Sequence, residues 1–366
     1  MTTRKMLIST GGGDCPGLNT VIRAIVRSAC SSATNWEIWG SKRAFNGLLD
    51  TPQDLVKLDL ATVAGIQVKG GTILETSNKG NPIAFPVKQS DGSIIEIDRS
   101  QELIDKLNDL SIDVLVNIGG DGSQKISQHL YERGVNVIGV PKTIDNDLNA
   151  TDFTFGFQTA VETATEAVDK LVSTAESHNR VMIAEVMGRD AGWICLYTAV
   201  AAGADVALIP EIPYDLDVVV KKINQRVQNG HGFAIILIAE GAKAKDGERV
   251  CRACSDYLYE NPLLGGIGYQ LMNDIKAKLD VEMRVTVLGH VQRGGTPIAF
   301  DRVLATQFGV KAFELAENKK YGQMVSYVGN KLVSVPLKKA VSNYKKISSN
   351  DFLLQSAKKI GICLGE

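Results

Sequence analysis

The runs "DVLVNI" (113–118), "VNVIGV" (135–140), "RVMIAEVMG" (180–188) and "FAIILIAEGA" (233–242) are apolar with little polar alternation. A strand of that kind is buried on both faces, so it belongs to a parallel sheet with cover on each side. The cover is written beside the runs: "GLNTVIRAIVRSAC", "SQKISQHLYERG" and "FQTAVETATEAVDKLVSTAES" carry apolar residues at three- and four-residue spacing. "KMLIST", "DVALIP" and "RVTVLGH" extend the alternation along the chain. The pattern confines the chain to an α/β architecture with mainly parallel sheets. Ligands of such sheets bind beyond the carboxyl ends of the strands, so the residues just after each run carry the functional reading.

At 366 residues the chain exceeds what one core usually serves, and two domains are expected, although no linker is visible in composition. The stretch Asn78 to Asp98, rich in Gly, Pro and polar residues, reads as a surface excursion or small hairpin. With 40 basic and 41 acidic side chains, the overall balance calls for neither nucleic acid nor an anionic membrane. The apolar run near the N-terminus is too short for a signal peptide and no later run has the length of a membrane span, so a cytoplasmic location is expected. Cys251 and Cys254 form a C-x-x-C, which fits a redox pair or half a zinc site. No second pair completes a metal site, and two reduced thiols in a helix are expected.

Three glycine-rich turns are expected to follow strands: Gly11 to Asp14, Gly119 to Ser123, and Gly294-Gly295. Glycine lets backbone N–H groups approach a phosphate, and a following helix adds its positive end, but a lone turn of this kind is equally often only a tight turn. Pro16 breaks the dinucleotide-binding G-x-G-x-x-G pattern, and without a Gly-Lys pair there is no Walker loop. After "VNVIGV" comes "PKTIDND", which sets Asp145, Asn146 and Asp147 side by side at a strand end. Taken alone, the cluster reads as an Asx-rich turn capping the next helix.

"GGDCPGLNTVIR", "GGDGS", "PKTIDND", "EVMGRDAGW", "IAEGA" and "VLGHVQRGG" occur in an order and spacing that resembles the phosphofructokinase family over most of the chain. "GGDGS" alone is shared with NAD and diacylglycerol kinases. The resemblance implies two doubly wound, mainly parallel-sheet domains with the active site in the cleft between them. Residues 1–156 with 292–342 would handle the nucleotide or other phosphoryl donor, and 157–291 with 343–366 the sugar phosphate. It implies transfer of the γ-phosphoryl of MgATP to the 1-hydroxyl of fructose 6-phosphate. Gly12 and Gly13 would meet the moving phosphoryl; Gly120, Gly122 and Ser123 would cradle the donor; Asp121 would hold Mg2+. Asp145 matches the family's base, Thr143 a hydrogen-bonding partner of the phosphoryl, and Asp147 a residue that orients the base or the metal's waters. Arg189 matches an arginine on the phosphoryl, where a planar fork meets two oxygens. Arg180, Arg284, His290 and Arg293 match residues that grip the sugar's 6-phosphate, Arg180 and Arg284 from a neighbouring subunit, which implies a homodimer or homotetramer. Met187, Gly188 and Glu240 match the wall and hydroxyl partner of the sugar. Singly, each arginine also reads as a solvated charge, and His290 as a strand-end histidine.

The chain departs from the best-known bacterial pattern in three places. Asn78 stands where an arginine often reaches the bridging phosphate, with Lys79 next to it as a point charge. Lys142 resembles the pyrophosphate-dependent branch, whereas Gly122 leaves room for the α-phosphate of a nucleotide where pyrophosphate users carry aspartate. The steric argument favours ATP, with pyrophosphate or ADP as alternatives. Arg23 and Arg27 match two positions of the family's effector site, while Leu60 and Val172 replace basic residues there. A non-catalytic regulatory subunit would be expected to lose Asp121, Asp145 or Arg189, and an NAD-kinase-like enzyme is the reading of "GGDGS" by itself.

Overall fold

A computed structural model describes residues 3–253 and 263–366. Among them the strands run, in chain order, β1 (Arg4–Thr10), β2 (Trp36–Ser41), β3 (Leu55–Leu58), β4 (Phe85–Lys88) and β5 (Ile94–Ile97). They continue with β6 (Val114–Gly119), β7 (Val137–Pro141), β8 (Val181–Val186), β9 (Val206–Leu208) and β10 (Ala234–Ala239). The last five are β11 (Cys251–Ala253), β12 (Leu263–Leu264), β13 (Met283–Val287), β14 (Gln323–Val328) and β15 (Lys331–Pro336). The chain forms two compact units, Met1–Ile144 with Leu148–Gln158 and Arg293–Tyr344, and Asp145–Asp147 with Thr159–Gln292 and Lys345–Glu366.

The first unit is built on a sheet of order β15-β14-β7-β6-β1-β2-β3. Its interior pairs are parallel, and β6 and β7 are buried at every position, as unbroken apolar runs require. Both edges are antiparallel, β3 against β2 and β15 against β14. The β14–β15 hairpin turns on Gly329 and Asn330, with φ of 55° and 62°, a two-residue turn whose hand matches strand twist. One face packs Leu7, Leu115, Val137 and Met324 against Leu103, Leu107, Leu130 and Leu337 from flanking helices. The excursion between Asn78 and Asp98 holds the hairpin β4–β5.

The second unit has an all-parallel sheet of order β13-β8-β10-β9. Val181, Ile183, Ile236 and Ile238 project into a core completed by Val219 and Ile223 of helix Leu216–Arg226 and Leu271 of helix Ile267–Lys276. The C-terminal tail joins the same unit, Ala207 N donating to Cys363 O at 2.9 Å.

Two expectations need correction. Cys251 is not in a helix: it opens β11, paired antiparallel with β12, and is exposed, while Cys254 lies outside the described residues. Gly294-Gly295 does not follow a strand directly, because the short helical turn Gly289–Arg293 intervenes after β13. Among the described residues no helix is long and apolar enough to cross a membrane.

Candidate active site

β1, β6 and β7 are parallel neighbours, so their carboxyl ends share one edge of the first sheet. The order reverses between β1 and β6: the chain goes from β1 to β2 on one side and reaches β6 and β7 on the other. Such a reversal is where doubly wound sheets take their ligands. Gly11–Asp14, Gly120–Ser123 and Lys142–Ile144 all leave from that edge.

Gly12 has φ 78°, a left-handed backbone that side-chain-bearing residues adopt only at a cost. It is held there by Ser77 O, which accepts from its N–H at 3.2 Å, and by Thr76 Oγ1, which donates to its carbonyl at 2.5 Å. Ser77 also accepts from Lys79 N at 3.0 Å, so Lys79 belongs to the segment that backs this turn. Lys142, only 3% exposed, donates through Nζ to Gly13 O. Arg293 donates to Asp14 O at 3.3 Å, and a Cβ on Gly13 would lie 2.8 Å from its Nη1. Two cations therefore converge on the first turn, one of them Arg293, which the family resemblance assigned to the sugar's distant phosphate. Cys15 next to them is buried, and burial pushes its thiol up to about 12, so it is neutral and unreactive near pH 7.

The second turn opens helix Asp121–Glu132. Gly120 precedes it in extended conformation and has no side chain with which to cap the first turn, which leaves helix N–H groups for a ligand. Gly122 is exposed and a Cβ there would meet nothing within 4 Å. Asp121 accepts at Oδ2 from Lys125 at 2.7 Å and from the Tyr344 hydroxyl at 2.9 Å. No cluster of three His, Cys, Asp or Glu occurs among the described residues. A single carboxylate fits Mg2+, which keeps several waters and takes other ligands from substrate phosphates. The third segment is fixed by Lys142 N donating to Gly119 O at 3.0 Å and by Thr154 Oγ1 donating to Thr143 O at 2.7 Å.

In the second unit, the carboxyl ends of β8 and β10 present Met187 to Arg189 and Glu240, and His290 follows β13. Gly188 has φ 141°, and Gly241 N donates to its carbonyl at 3.0 Å, which ties the two loops together. Met187 N donates to Gln292 Oε1 at 3.4 Å. Asp145 to Asp147 cluster with this unit: Lys345 N donates to Asp147 O at 2.8 Å and Trp193 Nε1 to Lys345 O at 3.1 Å. Trp193 starts the helix after the Arg189 loop, so Lys345 joins the acidic turn to that loop's far end. Arg180 and Arg284 are not part of this edge. They lie at the amino ends of β8 and β13, paired with Glu282, about 20 Å away by strand rise.

Sequence reasoning missed the supports: Thr76 and Ser77 behind the first turn, Tyr344 on Asp121, and the buried amides Asn117 and Gln124 beneath the second turn. Asn117 is the one detectable from sequence, as a polar residue inside the apolar run "DVLVNI".

A doubly wound α/β chain with glycine turns at a strand-order reversal belongs to the class that binds phosphorylated ligands. Comparison with known proteins narrows this. A family model described as Phosphofructokinase matches residues 5–316. ATP-dependent 6-phosphofructokinase 2 of Clostridium perfringens is 48% identical over 99% of each chain. A pyrophosphate–fructose 6-phosphate 1-phosphotransferase of Streptomyces coelicolor is 44% identical over 94% of this chain and 96% of its own. Among solved structures, the phosphofructokinase of Pichia pastoris in the T-state aligns with a TM-score of 0.78 at 29% identity, over 93% of this chain. This chain spans 36% of the Pichia chain. The chain belongs to the phosphofructokinase family.

Proposed function

We propose that the protein transfers the γ-phosphoryl of ATP to the 1-hydroxyl of fructose 6-phosphate, giving fructose 1,6-bisphosphate and ADP. The observation that carries the reading is the convergence of Gly12–Gly13, the open N-terminus at Gly120–Ser123, Lys142 and Arg293 at one sheet edge, within a chain 48% identical to an ATP-dependent 6-phosphofructokinase. Phosphoryl transfer needs alignment and charge stabilisation more than covalent chemistry. Backbone N–H groups of Gly12 and Gly13, with Lys142 and Thr143, hold the moving group, and Gly120, Gly122, Ser123 and Lys79 take the donor. Asp145 accepts the proton of the 1-hydroxyl, and Asp147 orients it. Arg189 meets charge on the transferred oxygens; Met187, Gly188 and Glu240 receive the sugar. Asp121 would hold Mg2+, which neutralises phosphate charge when bound.

In this reading the segments 1–156 and 292–342 serve the donor, and 157–291 with 343–366 the sugar. His290 and Arg293 bind the sugar's 6-phosphate, Arg293 by leaving Asp14. Arg180 and Arg284, at the far edge of their own sheet, complete the site of a neighbouring copy, so the working unit is a homodimer or homotetramer. The enzyme acts in the cytoplasm.

Pyrophosphate is the second reading for the donor, favoured by Lys142 on the first turn and by the Streptomyces relative. Initial rates with fructose 6-phosphate and ATP, pyrophosphate or ADP as sole donor decide between them. Turnover with ATP alone supports the proposal; turnover with pyrophosphate alone overturns the role given to Gly122. No turnover with any donor, while nucleotide and sugar phosphate bind, makes the chain a regulatory subunit. Turnover of NAD instead would make it an NAD-kinase-like enzyme.

A further inference from the structure

We propose that Gln124 is a positioning residue for the phosphoryl donor: its buried carboxamide fixes the spacing between the open helix N-terminus at Gly120–Ser123 and Lys142. This rests on the functional reading above. Gln124 is 0% exposed, and its Nε2 donates to two carbonyls, Gly119 O and Val140 O, each at 3.0 Å. Those carbonyls end β6 and nearly end β7, the strands that deliver the donor turn and Lys142. Gly119 O also accepts from Lys142 N at 3.0 Å, so one carbonyl links the helix's first turn, one strand end and the lysine.

Three further observations point the same way. Gln124 Oε1 is buried with no hydrogen-bond partner among the described residues, so the amide is retained for its donors, and the two carbonyls dictate its orientation. Glycine in a strand interior needs a reason, and a Cβ on Gly139 in β7 would collide with Gln124 Oε1. Asn117 makes a parallel tie, donating to Ser123 O and Ser127 Oγ at 2.9 Å each. An apolar side chain would fill this interior at no desolvation cost. Polar groups that tie strand ends to a ligand-facing helix turn act on ligand geometry, as do the outer partners that orient metal ligands.

The test is steady-state kinetics of Gln124→Met, which keeps the length and loses both donors, with MgATP varied at saturating fructose 6-phosphate and the reverse. If pyrophosphate is the donor, it replaces MgATP. The KM for the donor is expected to rise ~10- to 100-fold while that for fructose 6-phosphate stays within about twofold. Equal rises in both, or lower kcat with both KM values unchanged, would mean general loosening and overturn the assignment. Gln124→Asn, too short to reach both carbonyls, is expected to give the same split. If neither variant folds, Gln124 is a stability residue and the proposal falls. If the wild type does not turn over fructose 6-phosphate, the functional reading fails separately. Calorimetric binding of MgATP to wild type and variant then decides, with a ~10-fold or greater loss supporting the positioning role and equal affinity overturning it.

Discussion

Gly122→Asp separates the donor's needs from the fold's, because the two respond with opposite sign. The added Cβ meets nothing within 4 Å and Gly122 is exposed, so the side chain is accommodated without repacking. In the first turn of helix Asp121–Glu132, replacing glycine gains helix propensity and places negative charge at the positive helix end, together ~0.5–1 kcal/mol of stability. Toward a donor the effect reverses. A carboxylate ~5 Å from a nucleotide phosphate at an effective dielectric of ~20 repels it by about 3 kcal/mol, roughly 100-fold in affinity. The assay is KM for ATP and for pyrophosphate, with thermal unfolding of the same preparation. The expected result is an equal or higher melting temperature, a KM for ATP raised ~100-fold, and pyrophosphate use unchanged or newly measurable. An unchanged KM for ATP would show that the α-phosphate does not pass Gly122. A lowered melting temperature would show that the helix start is not open.

Asp145→Asn is expected to lower turnover at least ~100-fold while fructose 6-phosphate still binds by calorimetry; unchanged turnover removes it as the base. Gly12→Ala and Gly13→Ala should divide by cause. The first costs ~1–2 kcal/mol in urea unfolding because of its left-handed φ, whereas the second is nearly neutral for stability, moves only the Arg293 end, and lowers kcat/KM ~100-fold. Iodoacetamide at pH 8 should modify exposed Cys30 and Cys251 while sparing buried Cys15 and Cys195, and protection of Cys251 would refute its exposed edge. The Cys15 thiol is raised by burial from 9.0 to about 12, so its stabilising contribution is complete below pH 9 and fades as pH climbs through 12. Removing it by Cys15→Ala should flatten the loss of stability in that window, which urea titrations from pH 8 upward can check.

Strands buried on both faces were the legible part of the fold, because burial leaves no choice of residue type. "DVLVNI", "VNVIGV" and "FAIILIAEGA" became β6, β7 and β10 with shifts of one to three residues at their ends. The strands at and next to the two sheet edges, β3 with β2 and β15 with β14, carry no such run in the sequence. They are buried at fewer positions than β6 and β7, so "WEIWGS" and "KLVSVP" lack the continuous run. The hairpin between β14 and β15 did have a local sign in Gly329-Asn330, a two-residue turn pair. Cys251 was misplaced for a similar reason, since β11 has three residues and no period can be established over so few.

The candidate site divides along a physical line. Residues that face a ligand are chosen for chemical type, so glycine, aspartate and arginine at strand ends could be picked out and matched to a family. Residues that hold those groups in place are chosen for geometry across distant parts of the chain. Thr76 serves Gly12, Tyr344 serves Asp121 and Lys345 serves Asp147, separations that no local pattern encodes. Arg180 and Arg284 show the converse. Their type was legible, but only the register of β13 against β8 reveals that they share an edge remote from Arg189 in their own sheet. That placement makes a single chain insufficient under the proposed function. Gel filtration combined with Arg284→Ala kinetics therefore bears on the same question: an assembly whose KM for fructose 6-phosphate rises ~10-fold on that change, with donor KM unaffected, supports the shared site. A monomer with full activity would return both arginines to the role of surface charges.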